Sequence, residues 1–266
     1  MKIGLALSGG GTKGLAHIGV IKVLENNNIP IDFIAGTSAG AIIGGIYASG
    51  TPIKNVEKKV LEMKSRDFLG FILDLSKPQA GIVKAEKIMK FVESLISKKT
   101  IEEFKIPFAA VSADIRNFKE VVIDKGDALL AIRASIAYPG LVKPVHLDDM
   151  LLVDGGIINN LPMNVVKQKG ADIVIGVKFY DFTKNFKINY KNVVWRSIKM
   201  MESCLTELKI KNVENSVLIT PNIRGISTFS VSEKLARSSI KRGEIAAKKA
   251  LPKIKELIDN FKSNNA

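Results

Sequence analysis

Twice within its first fifty residues this chain repeats one unit: a short apolar strand, a glycine-rich turn, and a helix. Residues 2–7 and 31–35 read as buried strands. Turns at 9–14 and 36–40 follow them, and each turn opens a helix, at 15–26 and 39–49. In the first helix Leu15, Ile18, Val20, Ile21, Val23 and Leu24 recur at helical spacing. Such a unit leads into a parallel sheet, because the helix must carry the chain back before the next strand can pair. Further strands read at 108–114, 120–124, 151–154, 172–179 and 216–220. They alternate with helices at 52–64 (Thr51 as N-cap), 84–97, 127–135, 162–169, 189–212 and 232–261, the last interrupted near Pro252. The alternation predicts an α/β fold: a mostly parallel sheet covered by helices on both faces. With no repeat, long linker or break in composition, residues 1–259 read as a single domain and 260–266 as a frayed tail.

Bulk properties narrow the class. Hydrophobic content of 46% against 25% charged residues reads as globular. The net charge of +14 favours polyanions or anionic membrane surfaces. Nucleic acid is disfavoured, since no basic run is interleaved with aromatics. A single cysteine, Cys204, excludes an internal disulfide framework and fits a reducing cytoplasm. The apolar stretch 29–50 is broken by Pro30, Asp32 and several Gly and Ser residues, so no transmembrane helix is expected there. Residues 1–7 lack a cleavage site, so no signal peptide is expected.

Three short motifs carry chemistry. Gly36-Thr37-Ser38-Ala39-Gly40 matches G-x-S-x-G between a strand and a helix, as a nucleophile elbow requires. The alternative is a turn whose serine caps a helix. Gly9-Gly10-Gly11-Thr12-Lys13-Gly14 exposes backbone N–H groups that can hold an oxyanion, with Lys13 adding positive charge. The same loop fits G-x-G-x-x-G, and Asp32 lies near the spacing sought for a ribose-binding acid, so a nucleotide-binding oxidoreductase competes. Asp154-Gly155-Gly156 ends an apolar strand ahead of Asn159, Asn160 and Pro162; alone it would be an ordinary turn. The chain has only His17 and His146, and neither follows Asp154. Asp114 or Asp124 with His146 would satisfy the Ser–acid–His order. His17 reads as a buried packing residue. Without a histidine, an aspartate must take the serine proton directly, which needs a partly desolvated carboxylate with a raised pKa.

Taken in this order, the three motifs resemble the patatin-like phospholipase family, in its compact bacterial form. Supporting stretches are Ala16-His17-Ile18-Gly19-Val20, Ala134-Ser135 with Pro139, Pro144-Val145, and Asn160-Leu161-Pro162. The resemblance implies a three-layer α/β/α sandwich and a Ser–Asp dyad, with Ser38 as nucleophile, Asp154 as base, and N–H groups of Gly9–Gly14 as the oxyanion hole. It implies a lipid or acyl-ester substrate, with neither cofactor nor metal. Many relatives have arginine where Lys13 stands; lysine keeps the charge and loses the planar fork. A catalytically idle lipid-binding or regulatory protein would share the fold, though intact Ser38 and Asp154 speak against it. Residues 66–81, rich in Phe, Leu and Ile, read either as core or as a lid. Lys184, Lys187 and Lys191 are candidates for peripheral contact with an anionic membrane, against the alternative of a solvated face.

Overall fold

The computed structural model describes residues 1–63, 85–180, 188–226, 228 and 232–264. The 66–81 segment, Lys184 and Lys187 lie outside them. Strands β1 (Ile3–Leu7), β2 (Phe33–Thr37), β3 (Phe108–Asp114), β4 (Lys119–Ile123), β5 (Val145–Leu147), β6 (Met150–Asp154), β7 (Ile173–Val177) and β8 (Ser216–Ile219) form one sheet. Its order is β5-β6-β3-β2-β1-β7-β8, with β4 on the other edge of β3. The run from β3 through β2, β1 and β7 to β8 is parallel; β4, β5 and β6 pair antiparallel.

The period of two along β1 assigns its side chains to two cores. Ile3, Leu5 and Leu7 join the larger core, with apolar residues of α1 (Ala16–Asn26), α2 (Ala39–Ala48), α3 (Ile53–Glu62) and α5 (Ala128–Ser135). Partly buried residues of α4 (Glu86–Glu93) pack against that core. Ala6 faces the other way. There, with Ala35, Ala109 and Val111, it meets Val165 and Val166 of α7 (Met163–Gln168), which follows the single-turn α6 (Gly156–Asn159). Two buried faces make three layers, the expected α/β/α sandwich.

Four local readings change. A 3₁₀ turn (Gly11–Leu15) precedes α1, so the glycine loop winds tightly before the helix begins. Thr51 does not cap α3: Pro52 holds that position, and the Thr51 hydroxyl donates to the Leu95 carbonyl. Strand β5 escaped prediction because it is only three residues long. The helix around Pro252 is continuous: α9 runs from Glu233 to Asn264, past the point where the sequence suggested fraying. Proline in a helix interior costs about 3 kcal/mol. The buried stripe Ile240, Ala247, Ile254, Ile258 offsets this by packing α9 onto the larger core. The approach of α9 to α1 is close: a Cβ on Gly19 would lie 2.0 Å from the Ile240 carbonyl, and one on Gly243 would lie 2.0 Å from that of Ala16. Lys22 of α1 also bridges Glu57 at 2.7 Å and Glu244 of α9 at 2.9 Å.

Candidate active site

Strand register brings the two carboxyl-terminal motifs together. β4 occupies one edge of β3, so β2 and β6 must share the other. β2 runs parallel to β3 and ends with Thr37 opposite Val111. β6 runs antiparallel and ends with Asp154 opposite the next residue, Ser112. The two strands therefore meet head to head. Ser38, one residue past the end of β2, and Asp154 arrive at the same point from opposite directions. Cross-links hold the junction: Thr37 Oγ1 donates to the Asn159 carbonyl at 2.8 Å, and the Ser38 N–H donates to Ser135 Oγ at 2.9 Å. Ser135 in turn donates to the Val111 carbonyl at 2.6 Å.

Ser38 has φ 55° and ψ −118°, a conformation L-residues rarely adopt. The turn is tight enough that a Cβ on Gly36 would lie 2.4 Å from the Gly40 carbonyl oxygen, and one on Gly40 would lie 2.0 Å from that of Leu7. Hence the glycines two residues either side of the serine. Ala39 then opens α2, so the serine stands at a helix amino end.

The glycine loop closes over this point. Gly9 N–H donates to the Asn160 carbonyl at 3.1 Å, Thr12 N–H to Thr228 at 3.1 Å, and Lys13 N–H to Gly10 at 3.3 Å. Among the described residues no hydrogen bond engages the N–H of Gly10 or Gly11, and both residues line a cavity that Ser38 and Asp154 also line. Thr12 and Gly14 lie on the same wall. Lys13, between them in sequence, is 3% exposed and is not among the residues that line the cavity. The 3₁₀ turn separates it from its neighbours.

The cavity measures about 490 Å³, within the usual range for a ligand site. Its walls are mainly apolar, including Leu15, Ile42, Ile88, Phe91, Ile136 and Val142. Asp154 is fully buried in it. One carboxylate oxygen accepts from the Gly156 N–H at 2.8 Å. Burial pushes its pKa up to about 7, against the lowering pull of the Ser38 hydroxyl and the Gly156 N–H. Among the described residues the other oxygen makes no hydrogen bond of full geometry. The Ser38 contact is therefore loose, as such contacts often are before substrate binds.

Sequence reasoning missed one wall. Helix α8 (Tyr190–Ile210) brings Trp195 and Lys199 to the cavity beside Tyr138. The Lys199 ammonium lies 4.8 Å from the Tyr138 ring centre and 5.3 Å from that of Trp195. It pairs at 2.7 Å with Glu202, which also accepts from the Tyr138 hydroxyl at 2.8 Å. The Glu202 charge pushes Asp154 further up and Lys199 draws it down. A tryptophan, the chain's only one, beside charged residues in a helix was the only available signal.

The competing arrangements do not assemble. His17 is buried, its Nε2 hydrogen-bonded to the Ser8 carbonyl at 2.8 Å, and burial lowers its pKa to about 4. The ring is thus neutral and secures the start of the glycine loop. His146 sits exposed on β5. Asp114 accepts from the Arg116 and Leu151 N–H groups and from Asn117 Nδ2, and Asp124 pairs with Lys169. None of these three lines the Ser38 cavity. Asp32 precedes β2 and accepts the Ile3 N–H at 2.7 Å. It lies a strand's length from the glycine loop, at the wrong end of the sheet for a ribose-binding acid. Among the described residues no group of three His, Cys, Asp or Glu side chains could hold a metal ion.

A family model described as patatin-like phospholipase matches residues 5–167. An NTE family protein of Mycobacterium tuberculosis is 40% identical over 176 residues, covering 66% of this chain and 48% of that protein. Lysophospholipase NTE1 of Yarrowia lipolytica is 30% identical over 234 residues, covering 87% of this chain and 16% of that protein. The chain thus spans about half, or much less, of the length of these relatives. Among solved structures, VipD from Legionella pneumophila matches with TM-score 0.58 at 17% identity, covering 95% of this chain and 67% of that one. The type III effector protein ExoU matches with TM-score 0.51 at 14% identity, covering 95% and 53%. These two likenesses concern the fold: a mostly parallel sheet between layers of helices.

Proposed function

The chain belongs to the patatin-like phospholipase family, and from that premise we propose that it is a serine acyl hydrolase of lipid esters working through a Ser38–Asp154 dyad. The observation that carries this reading is the head-to-head meeting of β2 and β6, which puts a strained serine and a buried carboxylate in one apolar cavity under two N–H groups that no hydrogen bond engages among the described residues. Asp154 takes the Ser38 proton as Oγ attacks the ester carbonyl. The N–H groups of Gly10 and Gly11 hold the oxyanion; one such donor is worth about 2.7–4 kcal/mol. The tetrahedral intermediate collapses, and Asp154 protonates the departing alcohol or lysolipid. Water, deprotonated by the same carboxylate, then attacks the acyl-enzyme; the acyl–Oγ bond breaks, Ser38 takes the proton back from Asp154, and the fatty acid is released. The apolar walls suit an acyl chain, and the activity named for the fungal relatives makes a lysophospholipid the first substrate to try. Among the described residues no helix is long and apolar enough to cross a membrane.

A fluorophosphonate probe tests this. Mass spectrometry of the labelled protein is expected to find one modified residue, Ser38. His146→Ala is expected to label and turn over a short acyl ester within about twofold of wild type, as for a surface change far from the chemistry. Loss of labelling in His146→Ala with the fold intact would overturn the dyad. The pH profile follows from Asp154. Its carboxylate form is the competent base, and its pKa is raised to about 7. kcat/KM is therefore expected to climb about tenfold per pH unit below that value and level off above it. A profile flat from pH 5 to 8 would count against Asp154 as base.

A further inference from the structure

Helix α8 is amphipathic in the reverse sense. Its buried positions are polar: Glu202 is 4% exposed and Thr206 2%. Its exposed stripe is apolar, with Tyr190 at 82%, Met200 at 65%, Met201 at 55% and Leu208 at 67%, joined by Val194 and Leu205. Tyr190, Val194, Met201, Leu205 and Leu208 recur at the spacing of one helical face. Soluble surfaces seldom carry such a contiguous patch without a partner.

We infer that the outer face of α8 lies in the headgroup layer of an anionic bilayer and delivers lipid across its inner face to the Ser38 cavity. Three observations select a bilayer over a second protein. First, the inner face of the same helix already lines the cavity through Trp195 and Lys199, so the docked face and the reaction site adjoin. Second, the net charge of +14 complements an anionic surface. Third, α8 has 21 residues, about 30 Å long, with an apolar stripe on one side and charged residues on the other. That is the pattern of a helix lying in the interface plane and not crossing it. The delivery step rests on the hydrolase reading above; the docking does not.

The experiment compares wild type with Met201→Glu/Leu208→Glu, at two exposed positions that leave the inner face untouched. Cosedimentation is measured with phosphatidylcholine vesicles, with and without phosphatidylglycerol, alongside turnover of a water-soluble short-chain ester. Wild type is expected to bind the anionic vesicles, less so at high salt. The double variant should bind at least about tenfold more weakly, with soluble-ester turnover unchanged. Met201→Leu/Leu208→Met should bind as wild type does, which separates loss of apolar surface from misfolding. Equal binding by wild type and the Glu variant overturns the inference. So does a wild-type dimer in solution that the Glu variant dissociates, since a second copy would then cover the face. Wild type that binds vesicles through this face yet hydrolyses no ester upholds the docking surface and overturns the hydrolase reading.

Discussion

Asp154→Asn is expected to lower kcat/KM for an acyl ester by about 10⁴-fold or more, and Ser38→Ala by a similar factor. Asparagine has the shape of aspartate, and its side-chain oxygen can still accept the Gly156 N–H bond that now measures 2.8 Å. What it lacks is the capacity to take a proton. Because the two residues act as a unit, the double variant should lose no more than the worse single variant. Thermal melts provide an independent check. Folding raises the Asp154 pKa from 3.8 to about 7. The folded protein therefore holds this proton more tightly than the unfolded chain does. The stability it confers is complete below pH 3.8 and is lost as pH rises through about 7. Asp154→Asn carries no such dependence. Its stability relative to wild type should grow across that window by on the order of 4 kcal/mol, at about 1.4 kcal/mol per unit. An Asp154→Asn protein that keeps a tenth of wild-type turnover, or whose relative stability is flat with pH, would contradict this account.

The second large effect concerns the elbow. Gly40→Ala puts a methyl group 2.0 Å from the Leu7 carbonyl oxygen, a backbone atom of β1 that cannot step aside. α2 must then lift off the sheet at the turn that holds Ser38. The expected cost exceeds about 3 kcal/mol, in the tail of single-substitution effects, with turnover lost even in whatever fraction folds. Gly170→Ala is the control. Its φ is +90° but nothing lies within 4 Å of the added carbon, so only backbone strain of about 1–3 kcal/mol should appear. Urea midpoints for both variants, with ester turnover, distinguish them. Equal costs would mean that the close approach to Leu7 is not what holds the elbow.

Much of this site was legible in the sequence because its parts are backbone devices. Glycines at 36 and 40 announce a turn that excludes Cβ atoms, and alternation of strand and helix announces the layered sheet. The meeting of Ser38 with Asp154 was not legible as geometry. It depends on β6 sharing an edge of β3 with β2, a non-local register that no window along the chain contains. The α8 wall was hidden for a related reason. Its apolar residues recur with the right period, but periodicity says that a stripe exists, not which way it faces. Reading the stripe as the buried side would have turned Glu202 and Lys199 outward, whereas they lie against Tyr138 and the cavity.

The clamp between α9 and α1 bears on where a working unit can be cut. All three motifs fall within the stretch that the family model matches, which stops at residue 167. A fragment ending there would keep Ser38, Asp154 and the glycine loop. It would also strip α1 of the helix seated on Gly19, and would remove the Thr228 carbonyl that tethers the Thr12 N–H. Anyone transplanting this domain into another scaffold, or splitting it into complementing halves, should therefore count the segment through Asn264 as part of the module. The recognisable signature is shorter than the smallest piece that can keep the glycine loop in shape.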